Sequence, residues 1–146
     1  MKVTKYCYNM QRGYDGFTDN LMTLESLDDV ATMVVGNGAR MPTSGDWQEL
    51  IENTKQKWTT QNGVKGCLFK GSNGKGIFLP ATGSFSSELE YVGTYGNYWS
   101  SSLGNDPINA WACMIRKSNM LLRESRVSDA ERSMGLSVRA VCAGQN

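Results

Sequence analysis

"PTSGDWQELIENTKQKWTTQNGVKGCLFKGSNGKGIFLPATG", Pro42 to Gly83, changes character once, at Thr54. Before Thr54 the pattern is helical. Thr43 stands where an N-cap is wanted, and Asp46 is the third helical residue, in a first turn that favours acids. Trp47, Leu50 and Ile51 form one apolar stripe. After Thr54 come short β-prone runs broken at Asn62-Gly63 and Asn73-Gly74, the dipeptides of tight hairpin turns. "GSNGKG" (Gly71 to Gly76) has the look of a phosphate loop. It lies between two β runs and opens no helix, so it reads as a hairpin turn.

Upstream, "SLDDVATMVVG" (Ser26 to Gly36) reads as a second helix. Ser26 can cap it, Asp29 holds the capping-box position, and Gly36 can stop it. Leu27, Val30, Ala31 and Val34 share one face at helical spacing. "YCYN" (Tyr6 to Asn9) reads as a short strand, and "YDGFTDN" (Tyr14 to Asn20) is turn chemistry. Downstream, "YGNYWSSS", "NAWACMIRKS" and "LSVRAVCA" read as three strands. Alternation in "AWACMIR" puts Trp111, Cys113 and Ile115 on one face and Ala112, Met114 and Arg116 on the other. Two early helices and a strand-rich second half predict an α+β domain over residues 1–146, with short antiparallel sheets and many loops. No repeat, low-complexity run or linker divides it.

The chain has 146 residues, the size of one domain, and a formal net charge of +1, which sets up no general field for nucleic acid. No apolar run approaches membrane-spanning length. "MKVTKYCYNM" has no apolar h-region and does not read as a signal peptide. Histidine is absent. That removes the commonest general base, Ser/His and Cys/His nucleophile systems, and His-ligated metals. Cys7, Cys67, Cys113 and Cys142 form no CxxC pair, which argues against a zinc cage or redox motif; partly buried thiols are expected.

Other groupings have simpler readings. Asp15, Asp19, Glu25, Asp28 and Asp29 lack EF-hand spacing and fit capping and surface roles. Glu88 and Glu90 would share a strand face, but a polar loop explains them. Ser100, Ser101 and Ser102 lack both a His and an SxxK base, so hydroxyls at a strand end are expected.

Between Arg116 and Met134 no clear period is visible. Arg116, Lys117, Arg123, Arg126 and Arg132 are interrupted by Glu124, Asp129 and Glu131, which does not suit a phosphate-tracking groove. With Met114, Met120, Leu121, Leu122 and Met134, the composition fits a protein-recognition patch, where Arg and Met are enriched. Core closure is the alternative for Leu121 and Leu122.

Together, "GARMPTSGDWQELIENTKQKWTTQNGVKG", "SNGKGIFLPATG", "YGNYWSSS", "AW" and "GLSVRAV" resemble the Fibrobacter succinogenes major paralogous domain, over nearly the whole chain. The resemblance implies a C-type-lectin-like fold of the formylglycine-generating-enzyme type, used as a binding module. A subset of that family resembles the variable proteins of diversity-generating retroelements in gut bacteria and their phages. There a C-terminal segment is diversified on a fixed frame. The matching segment here is 103–134. The sequence departs from sugar-binding C-type lectins, having neither a Glu-Pro-Asn-like nor a Trp-Asn-Asp-like triplet, so no metal or cofactor is expected.

The expectation is therefore a non-enzymatic binding domain, displayed on a cell surface or virion, whose partner is a protein or glycan. The expected binding face is Ala112, Met114, Arg116, Asn119, Leu121, Arg123, Glu124, Arg126, Ser128, Asp129, Glu131, Ser133 and Met134. The expected frame includes Trp58, Phe78, Trp99, Trp111 and Val138. The alternatives are an oxidase related to the formylglycine-generating enzyme, resting on Cys113 and Cys142, a carboxylate-based hydrolase, or a structural oligomer subunit.

Overall fold

A computed structural model describes residues 1–117 and 125–143. Among them the α+β class is evident: two α-helices and ten strands, with every strand-to-strand ladder antiparallel. The elements are α1 (Val30–Val35), β1 (Ala39–Arg40), α2 (Ser44–Asn53), β2 (Lys55–Gln61), β3 (Val64–Lys70) and β4 (Gly76–Pro80). They continue with β5 (Ser84–Phe85), β6 (Leu89–Glu90), β7 (Tyr95–Leu103), β8 (Asn109–Arg116), β9 (Ser125–Glu131) and β10 (Val141–Cys142). Two three-stranded sheets dominate, β2-β3-β4 and β7-β8-β9. Short ladders join β1 to β10 and β5 to β6. Among the described residues, no helix is long and apolar enough to cross a membrane.

The helix α2 forms as its sequence requires. The Thr43 side chain accepts from the Asp46 N–H at 3.1 Å, and the Asp46 carboxylate accepts from the Thr43 N–H at 2.8 Å. This reciprocal cap satisfies two donors that a helix start otherwise leaves unpaired. Trp47 and Ile51 are buried and Leu50 packs against them. At the β2–β3 hairpin, Asn62 and Gly63 have φ of 49° and 79°, the pair of positive values that a type I′ turn demands.

The core lies between α2 and the two larger sheets. It gathers Trp47, Ile51, Cys67, Phe69, Leu79, Tyr98, Cys113 and Ile115, with Trp58 and Val127 packed against it. Burying each large apolar side chain contributes about 1.5–3 kcal/mol. Gly96 lets the sheets approach: a β-carbon there would meet the Pro80 carbonyl oxygen at 2.7 Å and Ile115 Cγ1 at 2.9 Å. Beside it the Tyr98 hydroxyl donates to that same carbonyl at 2.6 Å.

Several expectations are corrected. The cap of α1 is Asp29, not Ser26, and the helix is only six residues long. Of the apolar face expected of it, Leu27 falls before the helix and is 80 % exposed, Val34 is 76 % exposed, and only Ala31 is buried. "YCYN" is not a strand; Tyr6 has φ of 58° and is held by the Asp19 carboxylate, which accepts from its N–H. "LSVRAVCA" yields only β10 and an isolated bridge at Ser137. Within the segment read as patternless lies β9, seven residues long. Val138 is 41 % exposed, and Trp99 and Trp111 are half-buried rather than central to the core.

Candidate functional site

The β7-β8-β9 sheet has two unlike faces, because antiparallel partners share a side and neighbours along a strand alternate. The inner face carries Gly96, Ile115 and Ser125 in one row and Tyr98, Cys113 and Val127 in the next. These residues meet the core. The outer face carries Tyr95 beside Arg116, then Asn97, Met114 and Arg126 in line across all three strands. Trp99, Ala112 and Ser128 form the following row. Met114, Arg116 and Ser128 are half-buried and Arg126 is exposed. The Arg126 guanidinium reaches the Met114 sulfur at 3.8 Å.

One end of this face opens into a groove of about 560 Å³. Tyr91, Tyr95, Asn97, Met114, Asp129, Glu131 and Met134 line it. Tyr91 and Tyr95 meet edge to face, with ring centres 5.4 Å apart. Asp129 accepts from the Asn109 amide at 3.0 Å, and Glu131 from the Ser133 hydroxyl at 3.3 Å. The groove thus joins two aromatic rings, two thioethers, an amide and two carboxylates, with Arg116 and Arg126 on the adjoining rows.

Of the predicted site residues, Met114, Arg116, Arg126 and Ser128 share the outer face. Asp129 and Glu131 belong to the opposite alternation, yet with Met134 they line the groove at the sheet end. Ser133 is exposed in the turn after β9. Ala112 is a correction. It has the expected side of β8 but is only 3 % exposed. Its partners Trp99 and Ser128 flank it on both sides, and its methyl group is too short to rise past them. Asn119, Leu121, Arg123 and Glu124 lie outside the described residues. Tyr91, Tyr95 and Asn97 were missed as site residues. Alternation in "YGNYW" against Tyr98, combined with pairing to β8, was the available signal for Tyr95 and Asn97.

No protein family, curated protein or solved structure matches this chain.

The groups considered for catalysis are occupied otherwise. Ser100 donates to the Trp111 carbonyl at 2.6 Å, and the Ser102 hydroxyl accepts from the Ser44 N–H at 3.0 Å. Here β7 leaves regular pairing between Trp99 and Leu103. Its freed groups tie in the N-terminal segment and the start of α2: Ser101 N–H donates to Pro42, and Leu24 N–H to Ser101. Cys113 is fully buried near Cys67, and burial pushes its thiol up to about 12. That opposes the thiolate a nucleophile or metal ligand needs. Cys142 is exposed on β10. Glu88 and Glu90 are both exposed. Among the described residues, no three His, Cys, Asp or Glu side chains gather as a metal site.

Proposed function

We propose that the chain is a non-enzymatic ligand-binding domain on a C-type-lectin-like scaffold, of the kind diversified by retroelements. In this reading the outer face of β7-β8-β9 and its groove recognise a protein or glycan on a cell surface. The observation that supports it is the division of labour within β8 and β9. Cys113, Ile115, Ser125 and Val127 serve the core, while Met114, Arg116, Arg126 and Ser128 between them face outward side by side. Side chains can change on such a face without disturbing the frame, and a stiff frame limits the ordering cost of binding. Tyr, Met and Arg also supply the large, adaptable contacts typical of interfaces.

Two measurements test the reading. Immobilised protein and glycan panels are probed with the full chain and with Met114→Asp and Arg126→Glu. A partner should be retained by the unmodified chain and lost at least tenfold by both variants at unchanged melting temperature. Equal binding by all three would remove the face from the function. The coding DNA is the second test: a near-identical repeat differing at adenines, beside a reverse transcriptase, is expected for the diversified class.

A further inference from the structure

A second concavity, of about 240 Å³, lies where the N-terminal segment crosses the irregular part of β7. Leu24, Val30, Trp99, Leu103, Ala110 and Val138 give it an apolar wall. Met41 and the serines Ser100, Ser101 and Ser102 of the irregular stretch also line it, together with Tyr6 and Arg132. We infer that this cavity binds a small apolar carboxylate, a ring or branched chain carrying one acid group, with Arg132 holding the acid.

The size sets the apolar part. An apolar cavity of about 150 Å³ accepts benzene. The present one therefore has room for a six-membered ring and a two- or three-carbon acid chain. Val30 and Val138, 44 % and 41 % exposed, stand at its rim and leave a way in.

The charge comes from Arg132. Its Nη1 donates to the carbonyls of Pro107 at 2.7 Å and Tyr6 at 3.4 Å, and its Nη2 donates to Lys5 at 3.2 Å. Its guanidinium carbon stands 5.9 Å from the centre of the Tyr6 ring, itself part of the wall. A guanidinium has five N–H donors, so three bonds to carbonyls leave one on Nη2 and the one on Nε. Carbonyls hold the group in place without cancelling its charge. The ion pairs among the described residues are Lys5 with Glu25 and Asp28, Arg12 with Asp106, and Arg40 with Asp46; Arg132 is in none of them. A positioned cation in an apolar wall favours an anion that brings its own apolar body. The Tyr6 hydroxyl is already engaged, donating to Asp28 and accepting from the Glu25 N–H at 2.9 Å. Ser100 donates to the Trp111 carbonyl and the Ser102 hydroxyl accepts from the Ser44 N–H, and Arg132 is the one cationic side chain in the lining, so the acid anchor falls to Arg132.

The test is calorimetric titration of the full chain with 3-phenylpropanoate. Saturable one-to-one binding is expected, at least tenfold tighter than that of the neutral 3-phenylpropanamide. Ala110→Leu fills the cavity and Val138→Trp crowds its rim; each should weaken binding at least tenfold at unchanged melting temperature. The comparison of acid with amide tests the charge on the unmodified protein, so it does not depend on an Arg132 variant that also loosens the N-terminal segment. Absence of saturation, equal affinity for acid and amide, or undiminished binding by both filled variants would overturn the inference. Tighter binding of Ala-Ala-Phe than of the free acid would overturn the small-acid assignment in favour of a peptide C-terminus.

Discussion

Asp29 is buried to 4 % exposure and satisfied by three backbone donors. One oxygen accepts from Ala31 and Thr32 at 2.9 and 3.1 Å, the other from Met41 at 2.8 Å. Asp29→Ala removes a helix cap and leaves the Met41 N–H without its acceptor. A lost cap costs about 1 kcal/mol and a stranded buried donor about 1–3, so a loss of about 2–4 kcal/mol is expected in urea unfolding. Asp19 plays a similar part for the N-terminal segment. Burial works to raise its carboxyl, but N–H donation from Cys7, Tyr6 and Leu21 outweighs this and holds it below the ordinary value. The Arg40 guanidinium holds Asp46 low as well. A carboxyl depressed by folding contributes stability that is full above its unfolded value near 4 and is lost as pH falls through the lower folded value. Stability should therefore decline as pH falls below about 4. Asp19→Asn should be less stable at pH 7 and show a shallower acid limb, measured as unfolding midpoint against pH.

The two helices differ in what their apolar residues do. Trp47 of α2 is 3 % exposed in the core, whereas Val34 of α1 is 76 % exposed. Trp47→Ala should cost about 3–5 kcal/mol, as large core truncations do, and Val34→Lys should shift stability by no more than about 0.5. Thermal melts of the two variants check both. The contrast also explains what could be read in advance. Cap, acid and stripe of α2 all agree within ten residues, so its position and buried side follow from local chemistry. The stripe Leu27, Val30, Ala31, Val34 is equally regular, but the chain turns at Asp29, and only Ala31 lands inside. The strand β9 escaped notice because its inward residues are poor hydrophobic markers. Ser125 is 1 % exposed and its hydroxyl donates to the Gln56 side chain, while Val127 alone is apolar. A period of two cannot be read from serine and one valine.

For the whole molecule, cysteine accessibility is a compact test of the fold. Cys7, Cys67 and Cys113 have no exposed surface, and Cys142 is exposed. Alkylation of the native chain should add one group, at Cys142, and four after denaturation, counted by mass spectrometry. The candidate site was legible in part for a similar reason of scale. Met114 and Arg116 follow from alternation within β8, but Tyr95 and Asn97 join them only through pairing between strands, and Tyr91 only through the loop that sets its ring against Tyr95. Burial of Ala112 depends on Trp99 and Ser128, neighbours that no local pattern names. The pairing of β8 with β9 also sets how this surface can evolve. From Asn109 with Glu131 to Ile115 with Ser125 the ladder runs without a break. Replacing Arg126 alters one outward side chain. Inserting a single residue within β9 would instead send Val127 outward and its neighbours inward, because side chains alternate strictly. Novelty on this face can therefore be gained by exchanging letters at constant length, and hardly at all by changing the length of the strand.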